Sequence, residues 1–118
     1  MSGIDELRNR TKHFAIRIVR LFQALPKSSE AQVIGKQLLR SGTSVGANYR
    51  AVCRARSKAE FIARIGIVAE EADESVFWLE LLEETKILNA KQLEGILKEA
   101  RELAAIFSAS HKTARGHR

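Results

Sequence analysis

The apolar residues of this chain recur at alternating intervals of three and four positions over four separate stretches. This interval places them on one face of an α-helix, and it is the spacing at which helices pack together in a bundle. A single proline, 6% aromatic residues and abundant Ala, Leu, Glu, Lys and Arg also favour helix over sheet. The four apolar stripes are Leu7, Thr11, Phe14, Ile18, Leu21 and Leu25; Ala31, Ile34, Leu38, Ser41, Val45, Asn48 and Val52; Phe61, Ile65, Val68, Ala72, Ser75, Leu79 and Leu82; and Leu93, Ile96 or Leu97, Ala100, Leu103 and Phe107.

Capping residues predict where the helices begin. A Ser or Asn followed three positions later by Glu or Gln satisfies amide groups that the first helical turn leaves without partners. Pro26 lacks an amide proton and disfavours helix at Leu25, so we expect the first helix to end there. The capping pairs are Ser29 with Gln32, Ser57 with Glu60, and Asn89 with Gln92. The predicted helices cover residues 4–25, 29–54, 58–88 and 90–109.

The lengths of the connections predict the topology. Short loops require neighbouring helices to run antiparallel, so the predicted fold is all-α, an antiparallel up-down-up-down four-helix bundle. With 118 residues, 45% of them hydrophobic, the chain supports one core and no second domain, and residues 1–118 are predicted to form a single domain. Residues 110–118 lack a hydrophobic pattern, and we expect them to be a disordered basic tail.

The second helix is unusual because it contains three glycines, Gly35, Gly42 and Gly46. Each glycine costs about 1 kcal/mol relative to alanine inside a helix, so the close approach of another backbone is the expected reason for them. A break near Gly42 is the alternative, although the apolar stripe keeps its phase through this point. Ser41 and Asn48 place polar side chains in the stripe, and we expect partners for them on the third helix.

Composition excludes several classes of function. One cysteine, Cys53, and three widely separated histidines form neither a disulfide nor a zinc site, and no Glu-x-x-His sequence of a di-iron bundle occurs. We therefore predict no metal and no cofactor, and we interpret Cys53 as a packed hydrophobe. No apolar run approaches the roughly 18 residues that cross a bilayer, and no export signal opens the chain, so we expect a cytoplasmic protein without membrane contact.

Charge is divided unevenly along the chain, whose net charge is +6. Residues 29–68 contain seven Lys and Arg and two acidic residues, whereas residues 69–107 contain ten acidic residues and four basic ones. This asymmetry indicates either a polyanion that binds the basic half or a complementary partner subunit.

Cations on the second helix lie opposite its apolar stripe and continue through the next turn. From Lys36 to Arg54 they follow about 27 Å of helix, enough to contact several phosphates. We call this set the basic ridge and predict that it binds nucleic acid, with a solvated or salt-bridged face as the alternative. The basic ridge comprises Lys36, Arg40, Arg50, Arg54, Arg56 and Lys58. A similar stripe on the first helix comprises Arg10, His13, Arg17, Arg20 and Lys27.

An acidic stripe on the third helix, Glu70, Asp73, Glu80 and Glu84, includes Phe77 in the same row. An apolar side chain among charges is typical of an interface, so the predicted oligomer interface is Phe77, Trp78, Glu80 and Glu84. Contact between the basic helices of one subunit and this stripe of the next would be head-to-tail and can close a ring. The alternative is that Phe77 or Trp78 is buried within the monomer.

Residues 8–13 match the Arg-Asn-x-x-x-His spacing of helical ribonucleases, with Arg8, Asn9 and His13 in place. A histidine can transfer a proton while an arginine stabilises phosphate charge. A chance match in an arginine-rich segment is the favoured interpretation, so no catalytic residue is predicted, and a ribonuclease is the distant alternative.

One series of residues resembles a known family. The series is Leu25-Pro26, Glu30, residues 37–41, residues 43–45, Ala47-Asn48, residues 56–61, and residues 70–75 and 77–82. It is similar to bacterial four-helix bundle proteins encoded in intervening sequences of 23S ribosomal RNA genes, a family similar in turn to accessory proteins of diversity-generating retroelements. The resemblance implies a homopentameric ring that binds RNA or DNA, or a nucleic-acid enzyme, without catalysis. Many members have Glu-Gly where this chain has Arg50-Ala51, which adds positive charge here.

Overall fold

The computed structural model describes residues 3–116 as four α-helices joined by short loops. Each helix packs against the next along the chain, and α4 returns to touch α1, which closes the bundle. Consecutive helices run antiparallel, and within residues 3–116 no strand is present. The predicted all-α four-helix bundle is therefore confirmed. The helices are α1 (Gly3–Ala24), α2 (Ser29–Val52), α3 (Lys58–Glu84) and α4 (Ala90–Gly116).

Two of the three predicted caps are confirmed. Ser57 Oγ accepts a hydrogen bond from the Glu60 amide at 3.0 Å, and the side chains of Asn89 and Gln92 accept reciprocally from each other's backbone amides. The cap of α2 lies one residue earlier than predicted, because Ser28 rather than Ser29 accepts a hydrogen bond from the backbone amide of Ala31. Neighbouring serines have the same chemistry, so sequence could not choose between them.

The ends of α2, α3 and α4 differ from the sequence prediction. Helix α2 ends at Val52 rather than at residue 54, and α3 ends at Glu84 rather than at residue 88. Lys86 adopts a positive φ of 62°, which a right-handed helix does not allow, and this turn redirects the chain into α4.

The prediction of a disordered tail from residue 110 is wrong for residues 110–116, which continue α4. Their backbone needs no apolar pattern to stay helical, since it is extended from a helix that is already packed. His111 also lies over Gly66 of α3, where its Nε2 atom would be 3.0 Å from an added Cβ. The last two residues, 117 and 118, lie outside the described part of the chain.

The core follows the four predicted stripes. Phe14, Ile18, Leu38, Leu79 and their counterparts on α4 are almost completely buried, whereas the stripe members Leu7, Leu21 and Phe61 are only partly buried. Tyr49 lies outside the predicted stripe but is also buried, and its ring packs against Phe107 with the ring centroids 5.3 Å apart. The stripe of Leu93, Ile96, Leu97, Ala100, Leu103 and Phe107 is buried throughout.

The glycines of α2 lie against α1, as the sequence predicts. A Cβ at Gly42 would come within 2.8 Å of the buried Ile18 side chain, and one at Gly46 within 3.2 Å of the Thr11 carbonyl oxygen. Helix α2 is continuous through Gly42, so the alternative of a break is wrong. The two backbones therefore approach more closely than side chains would permit.

Of the two polar residues in the α2 stripe, one has the predicted partner. The hydroxyls of Ser41 and Ser75 lie 2.9 Å apart in the core between α2 and α3. Asn48 instead donates to the Ser44 carbonyl of its own helix at 2.9 Å and is only half-buried. A cross-helix partner is needed only where burial removes water, which explains the difference.

Candidate nucleic-acid interface

All six residues of the basic ridge have exposed side chains. Within residues 3–116, five of the six lie outside ion-pairing distance of any carboxylate. Four of them are close together in the chain: one in the last turn of α2, two in the loop that follows and one at the first position of α3. This arrangement leaves their charge available to an anionic ligand. The five residues are Lys36, Arg50, Arg54, Arg56 and Lys58.

Arg40 differs from the rest of the basic ridge because it joins α2 to α3. Its guanidinium donates to Glu71 at 3.1 Å and also to Glu74. The hydrogen bond that Arg40 donates to Glu74 raises the pKa of Arg40. At this position the structure favours the alternative of a salt-bridged face.

Glu74 is held in place by two donors. Trp78 Nε1 donates to its carboxylate at 3.0 Å, and this bond together with that from Arg40 lowers the pKa of Glu74. The carboxylate therefore stays ionised at neutral pH and fixes the indole of Trp78 against the bundle.

Glu60 is the acidic residue nearest in sequence to the four clustered cations. Its carboxylate accepts from the Arg56 backbone amide at 2.8 Å and from Arg64 Nε at 3.0 Å. The backbone hydrogen bond, followed by the bond from Arg64, lowers the pKa of Glu60. Since Glu60 is engaged there, the side chains of Arg56 and Lys58 keep their charges uncompensated.

The basic stripe predicted on α1 is not continuous. Arg10 donates to both carboxylate oxygens of Glu99, at 2.6 and 3.0 Å, and to Glu102 at 3.1 Å, so it fastens α1 to α4. The hydrogen bond to Glu99 raises the pKa of Arg10. Arg17 and Arg20 face a separate groove between α1 and α4.

Sequence reasoning missed a groove between α1 and α2, with a volume of about 350 Å³. Three cations line it: Arg8 and Lys12 from α1 and Arg50 from the basic ridge. The glycines of α2 signalled close packing against another helix, but they did not indicate which side chains of α1 flank the contact. The full lining is Arg8, Asn9, Thr11, Lys12, Ala15, Thr43, Gly46, Ala47 and Arg50.

The ribonuclease-like residues do not converge on this groove. Arg8 and Asn9 line it, whereas His13 is exposed and is not among the lining residues. Five positions along a helix turn the side chain of His13 far from that of Arg8, since successive residues are rotated by about 100°. Proton transfer and phosphate stabilisation therefore have no shared site in this arrangement.

The predicted interface residues on α3 have different surroundings. Phe77 is 53% exposed, and its ring meets that of the half-buried Trp78 edge-on with the centroids 4.8 Å apart. Glu80 accepts from Arg101 of α4 at 3.0 Å, whereas Glu84 is exposed. The alternative of partial burial in the monomer thus holds for Trp78 and not for Phe77.

No group of three or more metal-ligating side chains is present among residues 3–116. In the same part of the chain, no helix is both long and apolar enough to cross a bilayer.

Cys53 is partly buried beside Tyr49, and burial, followed by the neighbouring thiol, raises the pKa of Tyr49 to about 12.

The fold and the site together define a class, the small antiparallel four-helix bundles with one strongly cationic edge. The profile of the 23S rRNA-intervening sequence protein family matches residues 6–109, and the chain belongs to this family, as the sequence resemblance predicts. The chain is similar to a protein of unknown function from the S23 ribosomal protein family of Bacteroides thetaiotaomicron, whose crystal structure is known. The two sequences are 37% identical, and the two structures superpose with a TM-score of 0.86. The match covers 95% of this chain and 100% of that chain. No curated protein matches the chain. Neither the family description nor the name of the crystallised protein assigns an enzymatic activity.

Proposed function

We propose that this chain is a non-enzymatic, oligomeric bundle that binds RNA or DNA through the phosphate backbone. The observation that carries the proposal is the set of five exposed ridge cations without acidic partners within residues 3–116. Cations that have no internal partner can release condensed counterions from phosphates when they bind. The N-terminus of α3, which Lys58 begins, adds the positive end of a helix dipole to the same region.

Contacts of this type recognise the phosphate backbone of the nucleic acid and not its bases. Tyr49 is an aromatic residue within the span of the ridge, but it is buried against Phe107 and cannot reach a ligand there. Without aromatic platforms among the cations, we expect affinity that depends weakly on sequence and strongly on salt.

The test is fluorescence anisotropy with short labelled RNA and DNA strands over a series of salt concentrations. If all five exposed cations contact phosphates, log Kd should change with log salt with a slope of magnitude about 3.5 to 4.5, at roughly 0.7 to 0.9 per phosphate. The Arg54→Gln/Lys58→Gln variant should lower that magnitude by about 1.4 to 1.8. The control is Lys112→Gln/Arg115→Gln, which removes one lysine and one arginine from α4, in a groove that Glu70 and Asp73 also line and outside both basic stripes, and it should leave the slope nearly unchanged.

Loss of binding in both variants alike would show a general charge effect, and no binding by the wild-type chain would contradict the proposal. Incubation with structured and single-stranded RNA should leave both substrates intact. Cleavage that disappears in Arg8→Ala and in His13→Ala would instead establish the ribonuclease alternative.

The exposed Phe77 supports the oligomeric part of the proposal. An aromatic ring that is half in solvent and braced by Trp78 is suited to insert into a partner surface. The acidic residues around it complement the basic ridge of a second copy, which favours a head-to-tail ring. The number of five subunits comes from the family resemblance alone.

Light scattering tests assembly. The wild-type chain should have the mass of an oligomer, and Phe77→Ser should shift it toward smaller species. Val33→Ser, which removes another exposed apolar side chain (64% exposed), is the matched control and should leave the mass unchanged. A monomeric wild-type chain would refute assembly, and a change of mass in Arg54→Gln/Lys58→Gln would assign the basic ridge to the subunit contact.

A further inference from the structure

We propose that the groove between α1 and α2 is a phosphate-binding seat in which Arg8, Lys12 and Arg50 together hold the backbone of a nucleic-acid strand. The inference rests on the proposed function and extends it from one ridge to a site formed by two helices. It adds two residues of α1, Arg8 and Lys12, that the basic ridge does not contain.

The α1–α2 groove brings together three cations from both helices, with no acidic residue among its described lining. The α1–α4 groove that Arg17 and Arg20 line also has no acidic residue in its described lining, but both of its cations come from α1. Arg10 faces Glu99 and Glu102 across the α1–α4 contact, and Arg40 faces two carboxylates across the α2–α3 contact.

Arg8 has one carboxylate nearby, but the contact is weak. Asp5 lies 4.0 Å away on the same helix, and both side chains are about half exposed, at 47% and 52%. Solvent screens such a pair, so it does not neutralise the groove. A phosphate that contacts three cations would compete effectively with it.

The floor of the groove is formed by small residues. Gly46 and Ala47 of α2 and Ala15 of α1 line it, and Gly46 lies so near α1 that an added Cβ would be 3.2 Å from the Thr11 carbonyl oxygen. Short side chains at the floor with long cationic ones at the rim allow a strand to settle between the two helices. The volume of about 350 Å³ is at the lower end of the range for ligand sites, roughly 300 to 1,000 Å³.

Arg50 connects the groove to the rest of the proposed interface. It belongs to the basic ridge and also lines the groove, and Arg54 follows it four residues later, in the loop after α2. Arg8 and Lys12 are one turn apart, about 6 Å along α1. A strand that follows the ridge would therefore meet a second row of cations from the opposite helix, and this would fix its path.

The experiment compares Arg8→Gln/Lys12→Gln with a Lys112→Gln/Arg115→Gln control, using a short fluorescein-labelled oligothymidine as the probe. Each variant removes one arginine and one lysine, and all four side chains are exposed, so the net charge and the expected stability match. Circular dichroism verifies that both variants are folded. We expect the groove variant to bind more weakly and to lower the magnitude of the salt slope by about 1.4 to 1.8, with the control close to wild type.

The outcomes separate this inference from the proposed function. If the ridge variant Arg54→Gln/Lys58→Gln weakens binding but the groove variant behaves like the control, the groove assignment is overturned and the proposed function stands. Equal weakening by groove variant and control also overturns it. A change of mass without a change in binding would assign the groove to a subunit contact, and a wild-type chain that does not bind the strand would overturn both proposals.

Discussion

Arg40 and Arg54 both belong to the basic ridge, yet the structure predicts opposite effects when each is replaced by glutamine. Arg40→Gln removes ion pairs to Glu71 and Glu74, whereas Arg54→Gln removes an exposed charge that has no acidic partner within residues 3–116. The first variant should lose stability and keep its affinity for nucleic acid. The second should keep its stability and lose affinity.

The size of the stability loss in Arg40→Gln follows from how exposed the two ion pairs are. The Arg40 side chain is 47% exposed and those of its partners 18% and 37%, so solvent screens both pairs. Exposed pairs contribute about 0.2 to 1 kcal/mol each, which predicts that Arg40→Gln lowers the free energy of unfolding by about 0.5 to 1.5 kcal/mol. Arg54→Gln should change it by less than about 0.5 kcal/mol, as is usual for an exposed substitution.

Urea denaturation at one fixed protein concentration measures the stability of both variants, and anisotropy over a salt series measures their binding. Arg54→Gln should reduce the magnitude of the salt slope by about 0.7 to 0.9, and Arg40→Gln should leave it unchanged. A reduced slope with unchanged stability in Arg40→Gln would refute the assignment of this arginine to helix packing.

Three further predictions concern the bundle itself. Ser41→Ala and Ser75→Ala should each destabilise the chain by about 0.5 to 1 kcal/mol, since the remaining hydroxyl keeps its bond to a backbone carbonyl of its own helix. The double variant should lose less than the sum, because the two serines share one hydrogen bond, and strictly additive losses in urea denaturation would contradict this coupling. Gly42→Ala should destabilise by about 1 to 3 kcal/mol through overpacking against a buried side chain, whereas Gly95→Ala, whose Cβ meets only the flexible end of an arginine, should stabilise by up to about 1 kcal/mol; the same sign for both would refute the packing argument. Because the pKa of Glu74 is lowered in the folded state, its contribution is present above its unfolded pKa of about 4.3 and is lost as pH falls through the folded value. Below about pH 4.5, the free energy of unfolding should therefore depend less on pH in Glu74→Gln than in the wild-type chain. Equal pH dependence of the two would contradict this prediction.

Local chemistry explains why helix starts were easier to predict than helix ends. The caps at Ser57 and Asn89 depend on residues three positions away, which the sequence displays directly. The end of α3 instead depends on the positive φ of Lys86, and the extension of α4 to Gly116 continues a helix that is packed elsewhere. Neither of these has a strong local signal.

The same distinction between local and tertiary determinants applies to the candidate site. The exposure of Arg54 and Lys58 could be predicted, since both lie opposite the apolar stripe or in a turn. The pairing of Arg40 with Glu74 could not, because it joins residues 34 positions apart and depends on the register of α2 against α3. The approach of Arg8 to Arg50 across the groove depends in the same way on how α1 lies on α2.

The sequence by itself determined the four helices, their core faces and the separation of charge, because these follow from intervals shorter than two helical turns. Only the tertiary structure decided which charges are neutralised and which remain available to a ligand. The physical reason is that an ion pair requires two side chains within about 4 Å, and between helices that distance depends on their register and rotation. The ridge cations that have no acidic partner within residues 3–116, and the α1–α2 groove, are consequences of that packing.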